Sequence, residues 1–123
     1  EIKDNTDLFY LDSFHNAKHI EKIFYHYFPK LKLNGQFIID DISWIPYLRD
    51  AKRNNFNCEM NNSETFTKVL EINYANFEKI EVYFSFIGSG SAKIIKKSND
   101  RLLPPKSINR RNISIKNILR KLL

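Results

Sequence analysis

Two short segments, each ending in aspartate, constrain the fold of this 123-residue chain more than any other feature. Residues 8–11 are continuously apolar and end at Asp12, and residues 36–39 repeat the pattern and end at Asp40 and Asp41. Such segments are typical of parallel strands that are buried on both faces. Between them, apolar residues recur with helical spacing after Asn16, a good helix cap. The pattern therefore predicts a strand–helix–strand unit with a right-handed crossover.

The aspartates that follow these strands are the first candidate site. Parallel strands end at the same edge of a sheet, and open α/β sheets bind ligands in the crevice there. Asp12, Asp40 and Asp41 would form an all-oxygen site suited to Mg²⁺, Mn²⁺ or Ca²⁺ rather than zinc. The alternative is that the carboxylates cap the helices that follow the strands.

The middle of the chain predicts helices. The first helix continues through Leu31, and Asn34-Gly35 supplies the turn into the next strand. Ser43 begins a short helix that contains Trp44. Residues 53–62 are rich in Asn and predict a loop, after which Ser63 caps another helix.

The last part of the chain predicts an antiparallel hairpin and a tail. Apolar residues alternate with polar ones over residues 79–86, the glycines at positions 88 and 90 turn the chain, and residues 92–97 return as a strand. We therefore expect one domain over residues 1–100. Residues 101–123 would form a basic tail that carries an amphipathic helix after about residue 112.

The net charge of +6 belongs to this tail. Seven basic residues and no acid follow Asp100, so the rest of the chain is nearly neutral. Such a tail can contact anionic lipid or nucleic acid, but it lacks the interleaved aromatic residues of single-strand binders. We expect its helix to pack an Ile and Leu stripe on the domain or on a partner, with no strong case for nucleic acid or membrane.

Cysteine content and hydropathy bound the class of protein. The single cysteine, Cys58, excludes an intramolecular disulfide and a Cys-rich zinc site. No apolar run approaches the roughly 20 residues that a membrane-spanning helix needs, and the first seven residues are mostly polar, unlike a signal peptide. A soluble cytoplasmic protein is the expectation.

Three segments resemble motifs of one enzyme family. Residues 7–15 (DLFYLDSFH) are similar to the strand-four motif of the class I S-adenosylmethionine-dependent methyltransferases. Residues 31–41 (LKLNGQFIIDD) are similar to the motif of their strand five, and residues 88–97 (GSGSAKIIKK) resemble their last strand. In this order the motifs resemble the C-terminal half of the family's domain, strands four to seven. The resemblance implies an α/β fold with a partial Rossmann-like sheet, two parallel strands plus a C-terminal antiparallel hairpin, and flanking helices.

The resemblance also implies an activity and its residues. The family transfers a methyl group from S-adenosylmethionine, here to a hydroxyl of a small molecule or sugar. Asp12, Ser13 and Phe14 are the candidate cofactor-binding residues, and Asp12 and His15 are the candidate catalytic ones, since they follow the first strand at its carboxyl end. His15 would act as a general base, or it is an ordinary solvated histidine in the first helical turn.

A metal ion follows from the same resemblance, and a substrate wall follows from the position of Trp44 after the acidic pair. The family's small-molecule O-methyltransferases hold a divalent metal such as Mg²⁺ between acids that correspond to Asp12, Asp40 and Asp41. Trp44 would form a wall for a planar substrate. Equally, Trp44 packs in the core, which is the commoner place for a lone tryptophan.

What the chain lacks relative to the family predicts its assembly. Nothing here matches the Gly-rich loop that holds the cofactor, so we expect an incomplete domain that binds the cofactor weakly or not at all. Without the neighbouring strand of the family, residues 8–11 would be an exposed sheet edge. We expect a homo-oligomer through this edge or the adjacent helices. The alternative function is a non-catalytic dimeric α/β interaction module.

Overall fold

A four-stranded mixed sheet organises the chain. The computed structural model describes residues 2–14, 16–43, 56–109 and 115–122. In chain order the elements are β1 (Thr6–Leu11), α1 (Ala17–Tyr27), a 3-10 turn (Phe28–Lys30), β2 (Leu31–Asp40), α2 (Phe56–Asn76), β3 (Ile80–Ser85), β4 (Ser91–Lys96) and α3 (Ile115–Leu122). The strands lie in the order β1-β2-β4-β3, with β1 parallel to β2 and the other pairs antiparallel. The predicted α/β class, parallel pair and hairpin are confirmed.

Helix α1 begins as its sequence predicts and ends earlier. The Asn16 side chain accepts hydrogen bonds from the backbone N–H groups of Lys18 and His19, at 3.0 and 3.3 Å. The helix buries Ile20 and Phe24. The predicted continuation through Leu31 is wrong, because a 3-10 turn containing Pro29 follows α1 and β2 begins at Leu31.

Strand β2 contains the segment predicted to be a turn. Thr6 pairs with Leu31, but Leu8 pairs with Gln36, so β2 has extra residues between these two pairs. Asn34 takes up the difference in a left-handed conformation (φ 62°). A Cβ on Gly35 would lie 2.8 Å from the Lys32 carbonyl oxygen. Asn34-Gly35 therefore forms a bulge inside the strand rather than a turn before it.

Helix α2 begins before its predicted start. Residues 56–62, predicted as a loop, are helical, and Ser63 lies inside the helix, where its carbonyl accepts a bond from the Thr67 hydroxyl at 2.7 Å. Asparagine lowers helix propensity by only a few tenths of a kcal/mol per residue, which burial of Val69 and Ile72 outweighs. The short helix predicted after Ser43 falls outside the described residues.

The two helices cover one face of the sheet. Residues of this face form the core with α1 and α2, and its fully buried members include Phe37, Ile39, Ala92 and Ile94. On β3, Ile80, Val82 and Phe84 point to the covered face, while Glu81, Tyr83 and Ser85 are exposed, as the alternation predicts. We call the opposite face, which carries Leu8, Tyr10 and Tyr83, the open face.

The amphipathic helix of the tail is present as α3. Its Ile and Leu stripe (Ile115, Ile118, Leu119 and Leu122) is exposed, so the stripe does not pack on the described part of the domain. Its packing on a partner stays a prediction. None of the helices in the described ranges is long and apolar enough to cross a bilayer.

Candidate functional site

The carboxyl ends of β1 and β2 meet at one edge of the sheet, as predicted. Leu11 pairs with Ile39, so Asp12 follows β1 where Asp40 ends β2. The Tyr10 hydroxyl donates a hydrogen bond of 2.7 Å to Asp40 Oδ2. The other oxygen, Oδ1, accepts the backbone N–H of Asp41 at 3.0 Å. Each oxygen of the Asp40 carboxylate therefore accepts a hydrogen bond, one from a side chain of β1 and one from the following backbone N–H.

Asp41 leaves the strand in an unusual backbone conformation. Its φ is 56°, in the left-handed region that few residues other than Gly, Asn and Asp adopt. The next two residues bind the loop between β3 and β4: Ser43 N–H donates to the Ser89 carbonyl at 2.7 Å, and Ile42 N–H to the Gly90 carbonyl at 3.4 Å. This loop therefore holds the chain that leaves the site.

Three carboxylates act on one phenol at this edge. The hydrogen bond to Asp40 is the main cause that raises the pKa of Tyr10 above its ordinary value, followed by burial and by the negative charges of Asp40, Asp12 and Asp41. All three predicted aspartates are therefore close enough to influence the same side chain. The phenol remains protonated at neutral pH and acts as a hydrogen-bond donor.

The two residues after Asp12 differ in exposure. The Ser13 hydroxyl oxygen is buried and has no hydrogen-bond partner within the described structure. Phe14 is 74% exposed, and its ring lies edge-on to the His19 ring, with 6.3 Å between centroids. Phe14 therefore offers an exposed aromatic surface to a ligand, whereas the Ser13 hydroxyl is a buried polar group whose partner the described residues do not supply.

Some predicted site residues and the predicted metal remain open. His15 and Trp44 lie outside the described residues. Within the part of the chain that the structure describes, no three His, Cys, Asp or Glu side chains are grouped to hold a metal ion. The arrangement of Asp12, Asp40 and Asp41 does not by itself fit a metal, and the metal site stays a prediction.

Tyr10 is the site residue that the sequence did not single out. Residues 8–11 were expected to be buried on both faces, but Leu8 and Tyr10 are 51% and 60% exposed. The prediction was wrong because the described helices cover only one face of the sheet, and Leu8 and Tyr10 lie on the other. A tyrosine two residues before a strand-ending aspartate was the available clue.

Comparison with known proteins adds no relative: a scan against models of protein families finds no match for this chain, and a search of curated proteins also finds none. The candidate function is therefore inferred from the sequence motifs and from the geometry of the carboxyl edge.

Proposed function

We propose that this chain is the C-terminal half of a class I S-adenosylmethionine-dependent methyltransferase domain whose substrate is a hydroxyl of a small molecule or sugar. The order of elements supports this, because a parallel strand–helix–strand unit precedes an antiparallel hairpin. The observation that carries the proposal is the hydrogen bond from Tyr10 to Asp40 at the shared carboxyl end of β1 and β2, which Asp12 and Asp41 directly follow and where open α/β sheets bind ligands.

Asp12, Ser13 and Phe14 would hold the cofactor. S-adenosylmethionine, when bound, supplies a methyl group from its sulfonium. The Ser13 hydroxyl makes no hydrogen bond among the described residues, and a rotation of its side chain would bring this buried group to the cofactor. The exposed Phe14 ring offers an apolar surface to a planar group. This combination of one polar and one aromatic contact fits a ligand that carries polar groups and a ring.

The aspartates would handle the proton of the substrate. Methylation of a hydroxyl oxygen releases its proton, which a neighbouring base must accept. Asp12, which is exposed at the end of β1, is the candidate base within the described structure, and His15 is the second candidate. Tyr10 is unsuited to this role because its pKa is raised and its proton is donated to Asp40. It instead fixes the orientation of the Asp40 carboxylate.

Binding of S-adenosylhomocysteine to the ¹⁵N-labelled chain tests the proposal. We expect weak binding, with a Kd of about 1 mM, equivalent to roughly 4.1 kcal/mol, and NMR shift changes at the amides of Asp12, Ser13 and Phe14. Ser13→Val should weaken this binding, while Ser107→Val, a matched change at an exposed position, should not. Absence of shift changes at residues 12–14, or equal binding by Ser13→Val, contradicts the proposal.

A parallel titration with MgCl₂ alone examines the metal prediction. Saturable shift changes at the amides of Asp12, Asp40 and Asp41 would support a divalent metal at this edge. Calorimetry of S-adenosylhomocysteine with and without Mg²⁺ then shows whether the two bind together. Changes confined to other acidic residues would remove the metal from this site.

The second candidate function is a non-catalytic dimeric interaction module. The strand order favours it, because β1 lies at the edge of the sheet, and Leu8 and Tyr10 on this strand are both more than half exposed. Pairing of two β1 strands would extend the sheet across a homodimer and remove the open edge.

Sedimentation, combined with the cofactor titration, distinguishes the methyltransferase half-domain from the interaction module. A dimer that Leu8→Lys converts to a monomer, with no response to S-adenosylhomocysteine, is the result expected of a module. Lys18→Ala, an exposed change on α1, is the control and should leave the dimer intact. A monomer at all concentrations rules out the module.

A further inference from the structure

A cleft of about 820 Å³ lies at the end of the sheet opposite the aspartates. Asp40 pairs with Ser91 and Gln36 with Ile95, so Lys96, which lines the cleft, lies beside the start of β2 rather than its end. The other walls are the end of α1, the 3-10 turn and residues 99–105, a segment that we call the strap.

The strap is fixed in place by hydrogen bonds. Leu103 N–H donates to Asn76 Oδ1 at 2.7 Å, and the Leu103 carbonyl accepts the Tyr25 hydroxyl at 2.6 Å. Lys79 Nζ donates to the Arg101 carbonyl at 2.7 Å. The cleft therefore has a formed outer wall, as small-molecule sites usually do.

The floor of the cleft carries a buried ammonium group without a carboxylate partner. Lys96 is only 5% exposed because β4 turns it toward the covered face. Its Nζ donates to two neutral acceptors, the carbonyls of Pro29 at 3.0 Å and Leu31 at 2.6 Å. An ammonium has three donors, so one lacks an acceptor among the described residues.

The electrostatics of Lys96 agree with this geometry. None of the ion pairs between described residues includes Lys96, and burial lowers its pKa. Buried charges in proteins are normally paired because the loss of hydration is costly. An anion in the cleft would supply the missing charge.

The remaining charged groups of the cleft do not fill this role. Glu21 Oε2 pairs with Lys68 Nζ at 2.9 Å. Asp100 and Arg101 are exposed and carry opposite charges. The rest of the lining is largely apolar and includes Phe28, Pro29, Leu102 and Pro104.

We propose that this cleft binds a small amphiphilic organic anion, whose carboxylate contacts Lys96 Nζ while its apolar chain lies along the strap. The third N–H of Lys96 binds the carboxylate, and the apolar lining binds the apolar chain. This site is independent of the proposed methyl transfer. It lies at the opposite end of the strands and does not include Asp12, Ser13 or Phe14.

Titration of the ¹⁵N-labelled chain with sodium hexanoate tests the proposal, with hexan-1-ol as the uncharged probe of the same chain length. We expect saturable shift changes at Leu31, Lys96 and residues 99–103 with hexanoate, and much weaker ones with hexan-1-ol. Lys96→Met should weaken hexanoate binding at least about tenfold, which is about 1.4 kcal/mol. Lys97→Met, at the exposed neighbour whose Nζ bonds Asn34 Oδ1 at 3.2 Å, should not.

A second variant keeps the test decisive if Lys96→Met does not fold. Asn99→Trp leaves the ammonium in place and puts a bulky ring at a residue that lines the cleft, and it should abolish hexanoate binding. Equal binding of hexanoate and hexan-1-ol, full binding by both variants, or shift changes that map elsewhere would overturn the proposal. Binding of S-adenosylhomocysteine is measured at residues 12–14 and binding of hexanoate at Leu31, Lys96 and residues 99–103. Absence of binding in one titration therefore does not affect the interpretation of the other.

Discussion

The Tyr10 hydroxyl donates a hydrogen bond of 2.7 Å to Asp40 Oδ2, so a side chain of β1 binds the carboxylate that ends β2. The bond crosses between parallel strands at the edge where Asp12 and Asp41 also lie. Because the hydrogen bond to Asp40 is the main cause of the raised pKa of Tyr10, the titration of this phenol reports on that bond.

Asp40→Asn should lower the pKa of Tyr10 toward its ordinary value of 10.0, because the charged acceptor becomes neutral. The ¹³Cζ chemical shift of Tyr10, followed from pH 8 to 12 by NMR, measures it directly. Asp7→Asn changes an acid near the other end of β1, where Asp7 pairs with Lys32, and should leave the value raised. An unchanged Tyr10 pKa in Asp40→Asn would show that the hydrogen bond is absent in solution.

The two glycines of the β3–β4 loop should respond differently to alanine. Both have positive φ, 63° at Gly88 and 77° at Gly90, so each substitution costs about 1–2 kcal/mol of backbone strain. A Cβ at Gly90 would also lie 2.7 Å from the Ser43 backbone nitrogen, whereas one at Gly88 meets nothing within 4 Å. In urea unfolding, Gly90→Ala should therefore have a lower free energy of unfolding than Gly88→Ala. The reverse order would mean that Ser43 does not pack against Gly90.

Asn76→Ala should release the strap. Asn76 is 2% exposed, and its amide group accepts a bond from Leu103 N–H and donates to the carbonyls of Ile72 and Leu103. Loss of these bonds leaves the part-buried Leu103 N–H without its acceptor and removes two further side-chain bonds, which should cost about 1–3 kcal/mol in unfolding free energy. Hydrogen exchange at Leu103 should accelerate. Asn109→Ala, at an exposed position, should change neither quantity, and normal protection of Leu103 in Asn76→Ala would contradict the assignment.

Tyr25→Phe should change how stability depends on alkaline pH. Burial is the main cause that raises the pKa of Tyr25 from 10.0 to about 12. Between these values the unfolded chain has released the phenolic proton while the folded chain keeps it, so stability falls as the pH rises.

Near neutral pH, Tyr25→Phe should be less stable than the native chain by about 1 kcal/mol, for the lost bond to Leu103. By pH 11 the difference in unfolding free energy between the two proteins should become smaller by up to about 1 kcal/mol. The change is this small because Tyr25 is only partly buried and solvent screens its charge. Chemical unfolding of both proteins from pH 8 to 11 measures this. A difference that stays constant or widens would contradict the raised pKa.

The sequence alone was sufficient for the parallel strand pair, the hairpin and the common edge of the three aspartates. These features depend on local spacing: apolar runs end at Asp12 and Asp40, and residues of β3 alternate between faces. The boundaries of the helices and strands were less predictable. Asn34-Gly35 is a turn signal in isolation, but pairing with β1 makes it a bulge inside β2.

The exposure of individual side chains was decided by tertiary structure. Tyr10 is exposed and reaches Asp40 because the described helices cover only the other face of the sheet. Lys96 continues the alternation of β4, and its burial follows from contact with the carbonyl of Leu31, which lies 65 residues away in the sequence. Local spacing determines which residues form a strand and which face they share. Burial, and with it the chemistry of Tyr10 and Lys96, depends on which distant segments cover that face.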